Sequence, residues 1–194
     1  MDRSGIFSFD GATGERFIAD YKTLAIKVQA IKELGGRVVL TSGSFDLIHI
    51  GHARYLREAR KFGDFLVVGV ESDKRIQKRK GPNRPIVPEQ ERVEALTHLR
   101  YVDLVVMKHV DDKPRELIST VQPDVLVISE RTKYDETEQV ALQKICGEVV
   151  ELPSQAETST SARLRQLQLE ALEPAVNTLE EALRELKALQ GDRA

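Results

Sequence analysis

The stretch Val38-Val39-Leu40-Thr41-Ser42-Gly43-Ser44-Phe45-Asp46-Leu47-Ile48-His49-Ile50-Gly51-His52 decides how this chain folds. Val38 to Leu40 is a short β-branched and apolar run, read as a buried strand. The small residues Thr41 to Ser44 make a turn in which Gly43 lets a ligand approach the backbone. His49 and His52 then sit three residues apart at the start of a helix. In that helix His52, Tyr55, Leu56 and Ala59 fall at i, i+3, i+4 and i+7, one buried face. Strand end, glycine turn and helix N-terminus form an anion site, because backbone N–H groups and the helix dipole favour negative charge there. Two imidazoles at that place can donate to phosphate oxygens. A lone histidine would be read as helix-start packing; two at this spacing behind a glycine turn point to phosphate chemistry.

Outward from this stretch, apolar runs and helical periods alternate. Tyr21, Leu24, Ala25, Val28 and Ile31 mark an amphipathic helix stopped at Gly35-Gly36. Strands are expected at 65–70, 104–107, 124–128 and 148–152, with helices after 73, over 89–99, 113–120 and 135–146. Continuous apolar strands alternating with helices imply a parallel sheet covered on both faces. The fold class is therefore α/β, a Rossmann-like, doubly wound, five-stranded parallel sheet with an extra C-terminal helix. Ligands in such sheets bind at the carboxyl ends of the strands, which puts 43–52, Glu71, Ser129 and Pro153 on one rim. The organisation expected is an arm and helix over 1–35, the main domain over 36–169 and a helical tail over 170–194.

The 194 residues are ordinary in composition, 41% hydrophobic and 31% charged, enough for one sizeable core. A net charge of −2 gives no reason to expect nucleic acid as a partner. The single Cys146 excludes an intrachain disulfide and suits a reducing cytoplasm; its place is read as packing at a helix end. No basic region followed by an apolar run opens the chain and no long apolar stretch occurs, so neither secretion nor membrane spanning is expected. Neither a G-x-G-x-x-G nor a G-x-x-x-x-G-K-[ST] pattern is present. In the tail Leu172, Val176, Leu179, Leu183 and Leu186 step at heptad spacing from a helix expected to begin at Pro174. Either it docks on its own domain or it forms a homodimer contact, the reading favoured by the narrow stripe.

Gly43-Ser44-Phe45-Asp46 followed by His49-Ile50-Gly51-His52 resembles the HxGH nucleotidyltransferases, and the likeness runs from about Gly36 to Leu167. Within that superfamily Lys80-Gly81-Pro82-Asn83-Arg84-Pro85 resembles the loop of the heptose 1-phosphate adenylyltransferases. The resemblance implies that an NMP passes from a nucleoside triphosphate, ATP or CTP, to a small phosphorylated metabolite, and it favours adenylyl transfer to a heptose 1-phosphate. It implies His49, His52 and Lys80 as catalytic residues. Ser42, Gly43, Ser44, Phe45, Arg92 and Ser129 would line the nucleotide, and Lys80 and Arg84 would neutralise phosphates. Asp46 is read as ordering the turn by hydrogen bonds rather than holding metal, and is counted with the substrate residues.

Thr158-Ser159-Thr160-Ser161-Ala162-Arg163 resembles the family's second signature, in which Ser159, Thr160 and Ser161 would hold the β and γ phosphates at a helix start. Mg²⁺ would be held mainly by the triphosphate, since that ion keeps waters and takes few protein ligands. Arg100-Tyr101-Val102-Asp103 resembles a segment of the cytidylyltransferases, so a glycerol-3-phosphate-type cytidylyltransferase is the alternative enzyme. A nucleotide-binding interaction module without turnover is the alternative of another class. The loop Ser129-Glu130-Arg131-Thr132-Lys133-Tyr134-Asp135 departs from the Lys-Gly-Gly-Asp-like loop of the heptose enzymes, which leaves base and acceptor open.

Overall fold

The computed structural model describes residues 16–130, 132, 134–155 and 160–191, with side chains of the last stretch described over 165–184. The strands are β1 Phe17–Ile18, β2 Val38–Gly43, β3 Phe65–Glu71, β4 Leu104–Lys108, β5 Val125–Ser129 and β6 Glu148–Leu152. The helices are α1 Tyr21–Glu33, α2 Ile50–Arg60, α3 Asp73–Lys80, α4 Glu89–Thr97, α5 Glu116–Val121, α6 Glu136–Gln143 and α7 Thr160–Gly191. All strand pairs are parallel, in the order β1-β4-β3-β2-β5-β6.

Five of the six strands are those expected from the sequence. The sixth, β1, adds two residues at the edge beside Val105 and Val106. It joins part of the N-terminal arm to the sheet.

The period of two along each strand divides the core into two layers. Val38, Leu40, Val67, Leu104, Val106 and Leu126 face α1 and α5 through Leu24, Val28, Leu117 and Val121. Val39, Leu66, Val68, Val70, Val105 and Val127 face α2 and α4 through Leu56, Ala59, Val93 and Leu96. Strands so covered carry near-continuous apolar runs, which is why the sequence reads clearly here.

Polar side chains tie down the strand starts. Asp124 accepts the Val38 amide at 2.7 Å, Asp64 accepts the Arg37 amide at 2.9 Å, and Asp103 accepts the Leu66 amide at 2.7 Å. Asp103 also pairs with Arg60 at 3.0 Å, while burial raises its carboxyl above the usual range. The Arg100–Asp103 segment thus has a structural place at the start of β4.

The chain order steps outward from β2 through β3 to β4, then returns to the other side of β2 for β5 and β6. The direction reverses at the β2/β5 crevice, where open α/β sheets receive their ligands.

Two units divide the chain, one ending at Glu157 and one beginning at Thr158. The second is α7, exposed along 165–184. It starts at Thr160 rather than at Pro174, which lies inside it. Residues 162–173 hold strong helix formers and no breaker, so the helix is established before the proline arrives. The Glu170 carbonyl that loses its amide partner lies where water can meet it.

Candidate active site

The histidine turn leaves β2 through two residues in the left-handed region, Phe45 and Leu47, both at φ 48°. Such a backbone is costly for side chains other than glycine and persists only where the surroundings enforce it. Two contacts do so. Phe45 is buried in the α2/α4 layer, and a Cβ on Gly43 would sit 3.3 Å from its ring. Asp46, only 5% exposed, accepts the Ile86 and Val87 amides, each at 3.0 Å, and the Arg84 guanidinium at 3.1 Å. Asp46 therefore joins the histidine turn to the 81–88 loop.

His49 is the N-cap of α2 and its Nδ1 accepts the Gly51 amide at 3.0 Å. His52, at the third helical position, accepts the His49 amide through its own Nδ1 at 3.3 Å. This is the reciprocal arrangement usually built from Ser or Thr and Glu. An accepting Nδ1 places the proton of the neutral ring on Nε2. The rings lie 4.2 Å apart, tilted by 38°, and Phe45 stands 5.6 Å from His52.

Tyr55, one turn further along α2, spans the crevice. Its hydroxyl lies 2.8 Å from Thr41 Oγ1 on β2 and donates to the Val127 carbonyl on β5 at 3.3 Å. Burial pushes its phenol up to about 12. Ser129 ends β5 on the same rim, its hydroxyl 3.2 Å from that of Thr132.

Cations gather beside the turn. Lys80, the last residue of α3, donates to Ser44 Oγ at 3.2 Å. Lys108, the last residue of β4, donates to Ser42 Oγ at 3.1 Å. Burial holds both ammonium groups below the usual lysine range; the next cause is Arg79 for Lys80 and Arg75 for Lys108. Arg79 and Arg75 pair with Glu71 at 2.5 and 3.9 Å.

The structure thus brings together Ser42, Gly43, Ser44, Phe45, Asp46, His49, His52, Lys80 and Arg84. Arg92 is a correction. It was expected to line the nucleotide, but its side chain is fully buried, with bonds to the Val87 carbonyl at 2.9 Å, the Ser44 carbonyl at 2.5 Å and Asp73 at 2.7 Å. It braces the turn from below. Its spacing from Leu96, i to i+4, places it on the inward stripe and was the available signal. Lys108 was not singled out; the clue was Gly69 within the apolar run 65–70, which marks a close approach. Ser159 lies outside the described residues; Thr160 and Ser161 open α7. Among the described residues no group of three or more His, Cys, Asp or Glu side chains could hold a metal ion. No helix among them is long and apolar enough to cross a membrane.

Residues 40–166 match the family model described as Cytidylyltransferase-like. The chain belongs to that family. The match encloses the histidine turn and the Thr158–Arg163 signature, in line with the resemblance drawn from the motif. Relatives within reach include the Bifunctional protein HldE of Nitratiruptor sp., 42% identical over 116 residues, which cover 60% of this chain and 25% of the relative. The Bifunctional protein HldE of Geotalea uraniireducens is 48% identical over 110 residues, covering 57% of this chain and 22% of that protein. The chain thus spans about a quarter of the length of the curated relatives it matches. Among solved structures it is similar to a lipopolysaccharide core biosynthesis protein from Thermoplasma volcanium. The TM-score is 0.55 and the identity 32%, over 62% of this chain and 98% of that one. Likeness to a pantoate-beta-alanine ligase from Francisella tularensis, at 15% identity and TM-score 0.50, concerns the fold alone.

Proposed function

We propose that this chain transfers AMP from ATP to a heptose 1-phosphate and releases pyrophosphate. An oxygen of the acceptor phosphate attacks the α-phosphorus; the bond from that phosphorus to the bridging oxygen breaks, and pyrophosphate leaves with the electron pair. Two mutually repelling anions must be aligned and their charge spread, so the task is positioning and electrostatics. The observation that carries this reading is the reciprocal histidine cap, which orients two Nε2–H donors at a helix N-terminus beside Lys80. In this reading His49 and His52 donate to triphosphate oxygens, and Ser42, Gly43, Ser44, Phe45 and Ser129 line the nucleotide. Lys80 and Arg84 hold phosphate charge; the resemblance of the Thr158–Arg163 sequence supports a role for Ser159, Thr160 and Ser161 in holding the leaving pyrophosphate.

Mg²⁺ would arrive on the triphosphate, neutralising its β and γ oxygens. Asp46 fits no direct ligand role, because its oxygens already serve Arg84, Ile86 and Val87. Heptose is supported by the Lys80–Pro85 loop and by similarity to the HldE proteins and the lipopolysaccharide core protein. The setting proposed is cytoplasmic, with no nucleic-acid partner. A homodimer through α7 is supported by Leu169, Leu172, Val176, Leu179 and Leu183, all exposed and at heptad spacing.

Pyrophosphate release across ATP and CTP, each with heptose 1-phosphate or glycerol 3-phosphate, tests the reading. Release with ATP and heptose 1-phosphate is expected. Release only with CTP and glycerol 3-phosphate would make the chain a cytidylyltransferase. Nucleotide binding without release for any pair would leave it a binding module.

A further inference from the structure

Lys108 has a built path to the histidine turn. Ser42 on β2, Gly69 on β3 and Val106 on β4 are in register across three adjacent strands, and Lys108 lies two residues beyond Val106 on the same face. From there its side chain runs back over Gly69 toward β2. A Cβ on Gly69 would stand 3.1 Å from Lys108 Cδ, 3.1 Å from Ser42 Cβ and 2.4 Å from Leu117 Cδ2. Glycine at that position, roofed by Leu117, provides the channel for the lysine stem. The ammonium emerges at Ser42 Oγ, 3.1 Å away. An ammonium has three donors, and among the described residues this one forms no ion pair; Glu71, its register partner on β3, and Asp112 act on it only at longer range, Glu71 being paired with Arg75 and Arg79. Lys80 approaches the next hydroxyl of the same strand end, Ser44, without an ion pair among the described residues. Two ammonium groups thus flank Ser42-Gly43-Ser44, each set on a neutral hydroxyl.

A partly desolvated cation whose neighbouring carboxylates, Glu71 and Asp112, are already engaged by other donors is better matched when an anion completes the site. The topology indicates which anion. The reversal of strand order assigns the nucleotide to the β2/β5 crevice, and β4 lies on the opposite side of β2. Lys108 reaches Ser42 from the β3/β4 side, the side of β2 away from that crevice.

We propose that Lys108 binds the phosphate of the acceptor, a phosphomonoester dianion, together with Lys80. This rests on the nucleotidyl-transfer reading above and adds a substrate-binding residue to it. The test uses Lys108→Met, which keeps the stem over Gly69 and removes the charge, with Lys108→Gln as a second variant. Lys78→Gln, which removes an exposed charge from α3, is the control, and thermal melting verifies folding.

With ATP and heptose 1-phosphate, both Lys108 variants should raise KM for the sugar phosphate about tenfold or more, as loss of a charge-assisted bond would. KM for ATP should stay within about twofold. An equal rise in both constants, a change matched by Lys78→Gln, or no change would overturn the assignment. If the unaltered chain does not use heptose 1-phosphate, that acceptor fails, and the lysine is read from calorimetric titration of the chain with inorganic phosphate. Weaker binding by Lys108→Met then supports the site. Equal binding, or none by the unaltered chain, overturns it.

Discussion

His52 Nδ1 accepts the backbone amide of His49 at 3.3 Å, so each ring caps the helix with one nitrogen and presents a proton on the other. His52→Ala should therefore lower kcat about 100-fold or more while changing KM little, because the donor is required most where charge develops. It should also cost about 1 kcal/mol of stability through the lost cap. Steady-state pyrophosphate release and urea unfolding on the same preparation measure both; a change confined to KM would refute the catalytic role.

Asp46→Ala removes the acceptor for two amides and one guanidinium at once. The expected loss is about 2–4 kcal/mol, since buried donors and Arg84 are left unmatched. Asp46→Asn should lose less, keeping an acceptor oxygen without the charge. Chemical denaturation of the two variants ranks them, and equal stability would show that the charge on Asp46 has no part in holding the loop.

A methyl group at Gly69 would meet Leu117 at 2.4 Å and crowd the Lys108 stem. Gly69→Ala should destabilise the chain by about 1–3 kcal/mol through overpacking. Combined with Leu117→Ala it should recover part of that loss, and a double-mutant cycle reads the coupling.

Burial pushes the Cys146 thiol up to about 11. At pH 8 about one molecule in a thousand then carries the thiolate, against roughly a tenth in the unfolded chain. Iodoacetamide should label the native chain far more slowly than the denatured one. The fold favours the neutral thiol, so this group's contribution to stability is complete below about pH 9 and declines as pH rises toward 11. Labelling at the denatured rate in native buffer would contradict the burial.

The sheet was legible where strands are covered on both faces, because Phe65–Val70 or Val125–Ile128 can only be continuous apolar runs. β1 was not, since Phe17–Ile18 is too short to show a period and is a strand only because β4 stands beside it. His49 and His52 were legible from spacing, but their mutual capping was not, because histidine is not a residue from which caps are ordinarily read. Arg92 and Lys108 show the limit more sharply. One has a cationic side chain in the interior, the other a lysine crossing a glycine on the neighbouring strand; both depend on atoms distant in sequence.

Because the same two rings cap the start of α2 and, in the proposed reading, offer the phosphate donors, loss of the site is coupled to the start of a helix. A descendant that gave up the histidines would also lose about 1 kcal/mol of helix capping unless other residues restored it. The substitutions open to it are few: Ser, Thr, Asp or Asn at position 49, and Glu or Gln at position 52. A silenced copy of this chain should carry that signature, a repaired helix start where the imidazoles once stood.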